Sequence, residues 1–101
     1  MIEIIKQANE QETIFILKGR IDTMTSPEIE SSLIKEVEQG VNKLTVDMQH
    51  ISYISSAGLR VFLHVAKKLN HSKERLTIQS LIPQVKEVFD ISGLTDFFNI
   101  Q

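Results

Sequence analysis

The sequence of 101 residues contains no cysteine, no tryptophan, two prolines and four glycines. Without cysteine the chain forms no disulfide and offers no thiolate, and three histidines alone argue against a structural zinc site. No apolar run approaches the roughly 18 residues that cross a bilayer as a helix. The first residues, MIEIIKQANEQE, carry early acids and no long apolar core, unlike a signal peptide. We therefore expect a cytoplasmic protein that does not insert into membranes.

Charge and loop composition argue against two further classes of function. The formal net charge is −2, which gives no electrostatic basis for binding nucleic acid. The segment GRID, residues 19–22, holds a single glycine and is no glycine-rich phosphate loop. The sequence thus indicates no nucleotide-binding loop, no bound cofactor and no nucleic-acid partner.

Strand and helix patterns alternate along the chain. Four strands are predicted, at residues 2–7, 12–19, 43–48 and 75–80. Three helices are predicted, at about 25–40, 57–69 and 82–93. The last residues, TDFFNI, are predicted to form a short turn that a final strand can follow.

This order of elements predicts a fold class. Alternation in the second half of the chain favours parallel strands joined by right-handed crossovers, while the first two strands form an antiparallel hairpin. We therefore expect a single domain over residues 1–101, of the α/β class. It has a mixed β-sheet with an N-terminal β-hairpin and helices packed against the sheet.

Two adjacent serines precede the predicted second helix, in the segment HISYISSAGLRVFLHVAKKL. Ser55 or Ser56 can be the N-cap, whose side-chain oxygen accepts a hydrogen bond from a free backbone N–H. The first helical turn also carries unpaired N–H groups and partial positive charge, which would stabilise a phosphate on a serine oxygen. Ala57 and Gly58 are small, and we expect them to leave the hydroxyl accessible to a kinase.

The predicted second helix has an apolar and a polar face. Residues at spacings of three and four form the apolar stripe: Leu59, Phe62, Leu63, Ala66 and Leu69. The polar, partly basic face consists of Ser56, Arg60, His64, Lys67 and His71. Ser56 therefore stands at the head of a polar face that a partner can contact.

Catalysis by the serines is the least favoured interpretation. SSAG differs from the G-x-S-x-G nucleophile elbow of hydrolases. The three histidines, His50, His64 and His71, suggest no Ser-His-Asp arrangement by their positions. We expect the chain not to be an enzyme, although a hydrolase with Ser56 as nucleophile remains an alternative.

Three segments resemble those of one known family. VDMQHISYISSAGLRVFL, residues 46–63, resembles the signature of the STAS family, the anti-sigma-factor antagonists of bacteria. LKGRIDTMTSPEIE, residues 17–30, resembles the family's segment before its first helix, and PQVKEVFDISGLTDFFNI, residues 83–100, resembles its closing helix and final segment. Three matches in the same order are more specific than one short motif.

The resemblance implies a phosphorylation site and its partners. The family's phosphoacceptor is the serine two residues before a Gly-Leu pair, which is Ser56 here. Many members carry Asp before the acceptor, where this chain has Ser55. Asp22 matches an acid near the acceptor, and it either shapes the docking surface or forms the turn before the first helix. The implied partners are a serine kinase/anti-sigma factor of the histidine-kinase-like ATPase fold and a PP2C-type phosphatase.

From the resemblance we expect a partner switch. The unphosphorylated chain binds the kinase and releases its client, and phosphorylation of Ser56 ends that binding. Arg60 pairs with the phosphate or the kinase, or is simply solvated. An alternative is a constitutive subunit of an ABC-type membrane transport assembly. The expected partner-binding residues are Asp22, Ser55, Ser56, Ala57, Gly58, Arg60 and His64.

Overall fold

The computed structural model describes residues 2–69 and 75–101. Five strands are present: β1 Ile2–Ala8, β2 Thr13–Ile21, β3 Leu44–Ile54, β4 Leu76–Gln79 and β5 Phe98–Ile100. Three helices are present: α1 Ser26–Glu38, α2 Ser56–Leu69 and α3 Pro83–Ser92. A 3₁₀ turn, Thr95–Phe97, leads into β5. None of the helices described is long and apolar enough to cross a membrane.

The strands form one mixed sheet in the order β1-β2-β3-β4-β5. β1 pairs antiparallel with β2, and the three remaining pairings are parallel. Because each parallel strand lies beside its predecessor, right-handed crossovers place all three helices on one face of the sheet. In agreement, the rings of Phe62 in α2 and Phe89 in α3 lie 6.2 Å apart. The predicted mixed α/β sheet with its N-terminal hairpin is confirmed.

The core lies between the sheet and the helices. Alternate strand residues face the helices, and in the central register Phe15 pairs with Val46 and Val46 with Ile78, all buried. Ile29 and Leu33 of α1 pack onto this layer. Because α2 follows β3 directly and Ile54 pairs with Ile21, the start of α2 lies at the ends of β2 and β3.

Two details of the predicted elements are wrong. β3 was expected to end at residue 48 but extends to Ile54, since residues 50–54 pair with the end of β2 past a bulge. The apolar face of α2 is wider than the predicted stripe: Val61 and Val65 are buried, whereas Leu63 is only half-buried. The wider face follows from packing, because α2 contacts α1 and α3 as well as the sheet.

A buried carboxylate links α1 to the hairpin. Glu36 Oε1 lies 2.7 Å from Lys6 Nζ in β1, and its Oε2 accepts a hydrogen bond of 2.8 Å from the Thr13 hydroxyl in β2. Burial alone would raise the pKa of Glu36, but the hydrogen bonds from Lys6 and Thr13 outweigh it. The pKa of Glu36 therefore lies below its usual 4.5, and the ionised form stabilises the fold.

Candidate functional site

The carboxyl ends of β2 and β3 bring two separate segments together. Ile21 pairs with Ile54, and the Ser55 N–H donates a hydrogen bond of 2.8 Å to the Ile21 carbonyl. The turn that starts at Asp22 and the helix that starts at Ser56 therefore begin at one edge of the sheet. Asp22 therefore lies at the same edge as Ser55 and Ser56, although more than thirty positions separate them in the sequence.

The two adjacent serines have different roles. Ser55 is the N-cap of α2: its hydroxyl accepts a hydrogen bond of 3.3 Å from the Gly58 N–H, and its carbonyl accepts one of 3.0 Å from Leu59. Ser55 is half-buried, and its hydroxyl is committed to the cap. The sequence left open which serine caps the helix, and the structure assigns the cap to Ser55.

Ser56 is the first residue of α2 and is exposed. Its hydroxyl makes no hydrogen bond to any residue in the described part of the chain. Since Ser55 supplies the cap, modification of Ser56 would remove no hydrogen bond from the fold. The Ser56 oxygen is therefore both reachable and dispensable for the helix.

Gly58 corrects one expectation about this turn. It is buried, and a Cβ atom there would lie 2.6 Å from Ile21 Cγ2 and 2.8 Å from Ile54 Cγ1. The small size of Gly58 suggested that it leaves the hydroxyl accessible, but the structure shows that its small size serves close packing instead. It lets the first turn of α2 lie directly against the ends of β2 and β3. Ala57, half-buried, completes this turn beside Ser56.

Asp22 forms the turn that leads into α1. Its Oδ1 accepts hydrogen bonds of 3.0 Å from the N–H groups of Met24 and Thr25, and its carbonyl accepts one from Ser26. The hydrogen bond from the Thr25 N–H is the largest cause of a lowered pKa for Asp22. Asp22 is therefore ionised at neutral pH. Of its two expected roles, the turn is what the structure shows, and docking stays a prediction.

Thr25 occupies the N-cap position of α1, but its hydroxyl makes no capping hydrogen bond. Instead the hydroxyl donates a hydrogen bond of 2.8 Å to the Arg20 carbonyl and accepts one of 3.0 Å from the Asp22 N–H. The loop between β2 and α1 is thus held by its own hydrogen bonds. Its backbone presents a fixed shape next to the start of α2.

The polar face of α2 is partly paired. Arg60 is exposed one turn after Ser56. His64 Nδ1 lies 3.1 Å from Glu30 Oε2 and so connects α2 to α1. Farther along, the Lys67 ammonium lies 5.9 Å from the Phe97 ring centroid. His71, expected to continue this face, lies outside the described residues.

Sequence reasoning missed two exposed residues at the same edge. Met24 is 87% exposed in the β2–α1 turn. Tyr53 is 41% exposed near the end of β3, with the Arg20 guanidinium 4.4 Å from its ring centroid. A large apolar residue inside the polar turn DTMTS was the available signal for Met24. Tyr53 lies in the part of β3 beyond residue 48, which the predicted strand does not include.

The surroundings of Ser56 and the grouping of His, Asp and Glu side chains bear on catalysis and metal binding. Among residues 2–69 and 75–101, no group of three or more His, Asp or Glu side chains is placed to hold a metal ion. Ser56 has no hydrogen bond to a histidine within these residues, and His64 contacts Glu30 instead. Within the described ranges, the site therefore presents an exposed hydroxyl that no histidine contacts.

Comparisons with known proteins agree with this architecture. The family described as STAS domain matches residues 3–101. BtrV of Bordetella bronchiseptica is 38% identical over 87 residues, covering 86% of this chain and 75% of BtrV. The anti-sigma-B factor antagonist of Listeria monocytogenes serovar 1/2a is 32% identical over 101 residues, covering 99% of this chain and 87% of that protein. The solved structure of the Bacillus cell fate determinant SpoIIAA in the phosphorylated form is similar in fold, with a TM-score of 0.77 at 19% identity over 98% of this chain and 91% of that one.

Proposed function

Because the chain belongs to the STAS-domain family, we propose that it acts as an anti-sigma-factor antagonist in a cytoplasmic partner switch. In the unphosphorylated form it binds a serine kinase/anti-sigma factor of the histidine-kinase-like ATPase fold, and that protein's client is released. Phosphorylation of Ser56 ends the binding. A PP2C-type phosphatase removes the phosphate and restores the first state.

The observation that carries this proposal is the division of work between the two serines. Ser55 holds the N-cap of α2, while Ser56 is exposed and its hydroxyl has no partner within the described chain. A kinase can therefore reach the Ser56 oxygen without unfolding the helix. The name of the Listeria relative and the phosphorylated form of SpoIIAA support the same role.

The domain contributes only the acceptor in the phosphoryl transfer. The Ser56 oxygen forms a bond to the γ-phosphorus of ATP while the bond between that phosphorus and the β–γ bridging oxygen breaks. The hydroxyl proton passes to a base of the kinase, and ADP leaves. Because the kinase supplies Mg²⁺, nucleotide and base, the domain itself needs no cofactor.

Phosphorylation changes the charge of the interface more than its shape. The phosphate adds roughly −1.5 to −2 charges at the edge that also carries the ionised Asp22. If its desolvation and repulsion against the partner cost about 3 kcal/mol, affinity falls on the order of a hundredfold. A change of that size reverses a competition between two partners for one kinase.

The experiment compares the two serines as matched variants. The protein is incubated with its cognate kinase and Mg-ATP and analysed by intact-mass spectrometry. We expect one phosphate on the wild type and on Ser55→Ala, and none on Ser56→Ala. If only Ser55→Ala lost the phosphate, the acceptor would be Ser55 and the assignment to Ser56 would be wrong. If neither serine accepted phosphate, the proposed phosphorylation cycle would be refuted.

A second measurement tests the switch itself. Ser56→Asp is expected to bind the kinase on the order of a hundredfold more weakly than wild type, with a melting temperature within a few degrees, since Ser55 still caps α2. Equal binding of both forms would contradict the switch. An ABC-type ATPase retained equally by both forms would favour the constitutive transport subunit instead.

A further inference from the structure

Large hydrophobic side chains are exposed at two places in the described chain. Met24, 87% exposed, and Tyr53, 41% exposed, lie at the ends of β2 and β3 where Ser56 begins α2. Ile91, 77% exposed, and Phe97 lie instead on α3 and the 3₁₀ turn. The first pair thus borders the phosphoacceptor, while the second provides an apolar surface of similar exposure elsewhere.

The backbone under Met24 is fixed although its side chain is in solvent. The Met24 N–H donates to Asp22 Oδ1, and the next residue, Thr25, is buried and hydrogen-bonded to the Arg20 carbonyl. Because the backbone of this turn is already ordered, less conformational entropy is lost when a partner covers the side chain. Methionine is unbranched and polarisable, so its side chain adapts to an apolar cleft of irregular shape.

The position of Met24 limits what can cover it. The Ile21 carbonyl, one residue before Asp22, accepts the Ser55 N–H, so the Met24 turn and the start of α2 are joined at one edge. An enzyme whose active site surrounds the Ser56 oxygen must also lie against the segments next to it. Met24 is the most exposed large hydrophobic side chain on those segments.

We propose that Met24 is the apolar anchor of the docking surface, inserting into an apolar pocket of the serine kinase beside that enzyme's active site. This inference rests on the proposed function and adds the chemistry of recognition to it. Tyr53, with the Arg20 guanidinium over its ring, forms a second and more polar contact at the same edge. Ser56 then supplies the reacting group, and Met24 contributes to the choice of kinase.

Three variants test the anchor by titration calorimetry against the cognate kinase. Burial of one methionine side chain corresponds to a loss of about tenfold to a hundredfold in affinity when the side chain becomes polar. We expect that loss for Met24→Ser and near wild-type binding for Met24→Leu. Ile91→Ser, on α3 and outside the segments next to Ser56, is the matched control and is expected to bind as wild type does.

Two results would show that Met24 is not the anchor. One is that Met24→Ser binds the kinase as tightly as wild type, and the other is that Ile91→Ser loses as much affinity as Met24→Ser. A Met24→Ser variant that dissociates a homodimer in sedimentation, with kinase binding unchanged, would assign Met24 to self-association instead. Met24→Gln keeps the length of the side chain and replaces the serine variant if that one unfolds.

The anchor and the proposed function fail in distinguishable ways. If Met24→Ser binds normally while Ser56→Asp does not, the switch holds and the anchor is wrong. If wild type and Ser56→Asp bind the kinase equally, the switch itself is refuted, whatever Met24 does. Unchanged stability of Met24→Ser in urea shows that any loss of affinity arises at the surface.

Discussion

Gly58→Ala tests how tightly α2 lies against the sheet. The new methyl group would lie 2.6 Å from Ile21 Cγ2 and 2.8 Å from Ile54 Cγ1, whereas carbon atoms normally approach to about 3.5–4.0 Å. Both isoleucines are buried at strand ends, and the nearest atoms are close to their backbones rather than at flexible tips. The helix must therefore move away from the sheet to accommodate one methyl group.

The expected cost follows from two opposing effects. Overpacking of a filled core costs about 1–3 kcal/mol. Alanine recovers at most about 1 kcal/mol over glycine in a helix. Two contacts shorter than 3.0 Å put the overpacking cost in the upper part of its range, about 2–3 kcal/mol. Subtracting the gain of about 1 kcal/mol leaves a net destabilisation of roughly 1–2 kcal/mol, which for a domain of this size lowers the melting temperature by about 4–16 °C.

Urea and thermal unfolding, followed by circular dichroism, measure this cost. Arg60→Ala, an exposed substitution on the same helix, is the control and should stay within about 0.5 kcal/mol of wild type. Ile21→Ala removes the closest clashing atom, so the double variant should lose less stability than the two single variants together. A Gly58→Ala protein as stable as wild type would refute the close contact between α2 and the strand ends.

The remaining predictions concern two carboxylates, Glu36 and Asp22. For Glu36 the folded pKa lies below the usual 4.5, so its stabilisation is present above that pH and is lost as the pH falls through the folded pKa. Urea unfolding should therefore show Glu36→Gln less stable than wild type by about 1–3 kcal/mol at pH 7 and the difference shrinking in acid, while a pH-independent difference would contradict the pairing with Lys6. Asp22→Asn should keep the turn and the helix content, since the amide oxygen can accept the same two N–H groups. Asp22→Lys should weaken kinase binding with helix content intact, and unchanged calorimetric affinity would remove Asp22 from the interface.

Much of the fold could be predicted because strand and helix periodicities are strong in this chain. The order of elements and the mixed sheet follow from them. The length of β3 could not be predicted because its buried residues Ile51 and Ile54 are three positions apart in the sequence. An irregularity in the pairing between them interrupts the alternation of buried and exposed residues that marks a strand. Val61 and Val65 were missed because the second buried side of α2 depends on contact with neighbouring helices, which no single-helix pattern contains.

The position of the two serines before α2 could be predicted from the sequence, but the structural role of each hydroxyl could not. Adjacent serines have the same chemistry, and only the position of the Gly58 N–H makes Ser55 the cap and leaves Ser56 free of that duty. In a sequence, a glycine next to a serine is equally consistent with an accessible hydroxyl and with close packing of the backbone. Here the packing against the side chains of Ile21 and Ile54 decides between the two, and the sequence alone does not show that these side chains lie beneath Gly58.

The hydrogen bond from the Ser55 N–H to the Ile21 carbonyl, together with the packing of Gly58 on Ile21 and Ile54, ties the first turn of α2 to the sheet. If Ser56 is phosphorylated as proposed, the phosphate would attach to a turn that is already held in place, so the modification would need no rearrangement of the fold. The lifetime of the modified state would then depend on hydrolysis of the phosphate ester and not on a conformational relaxation of this domain.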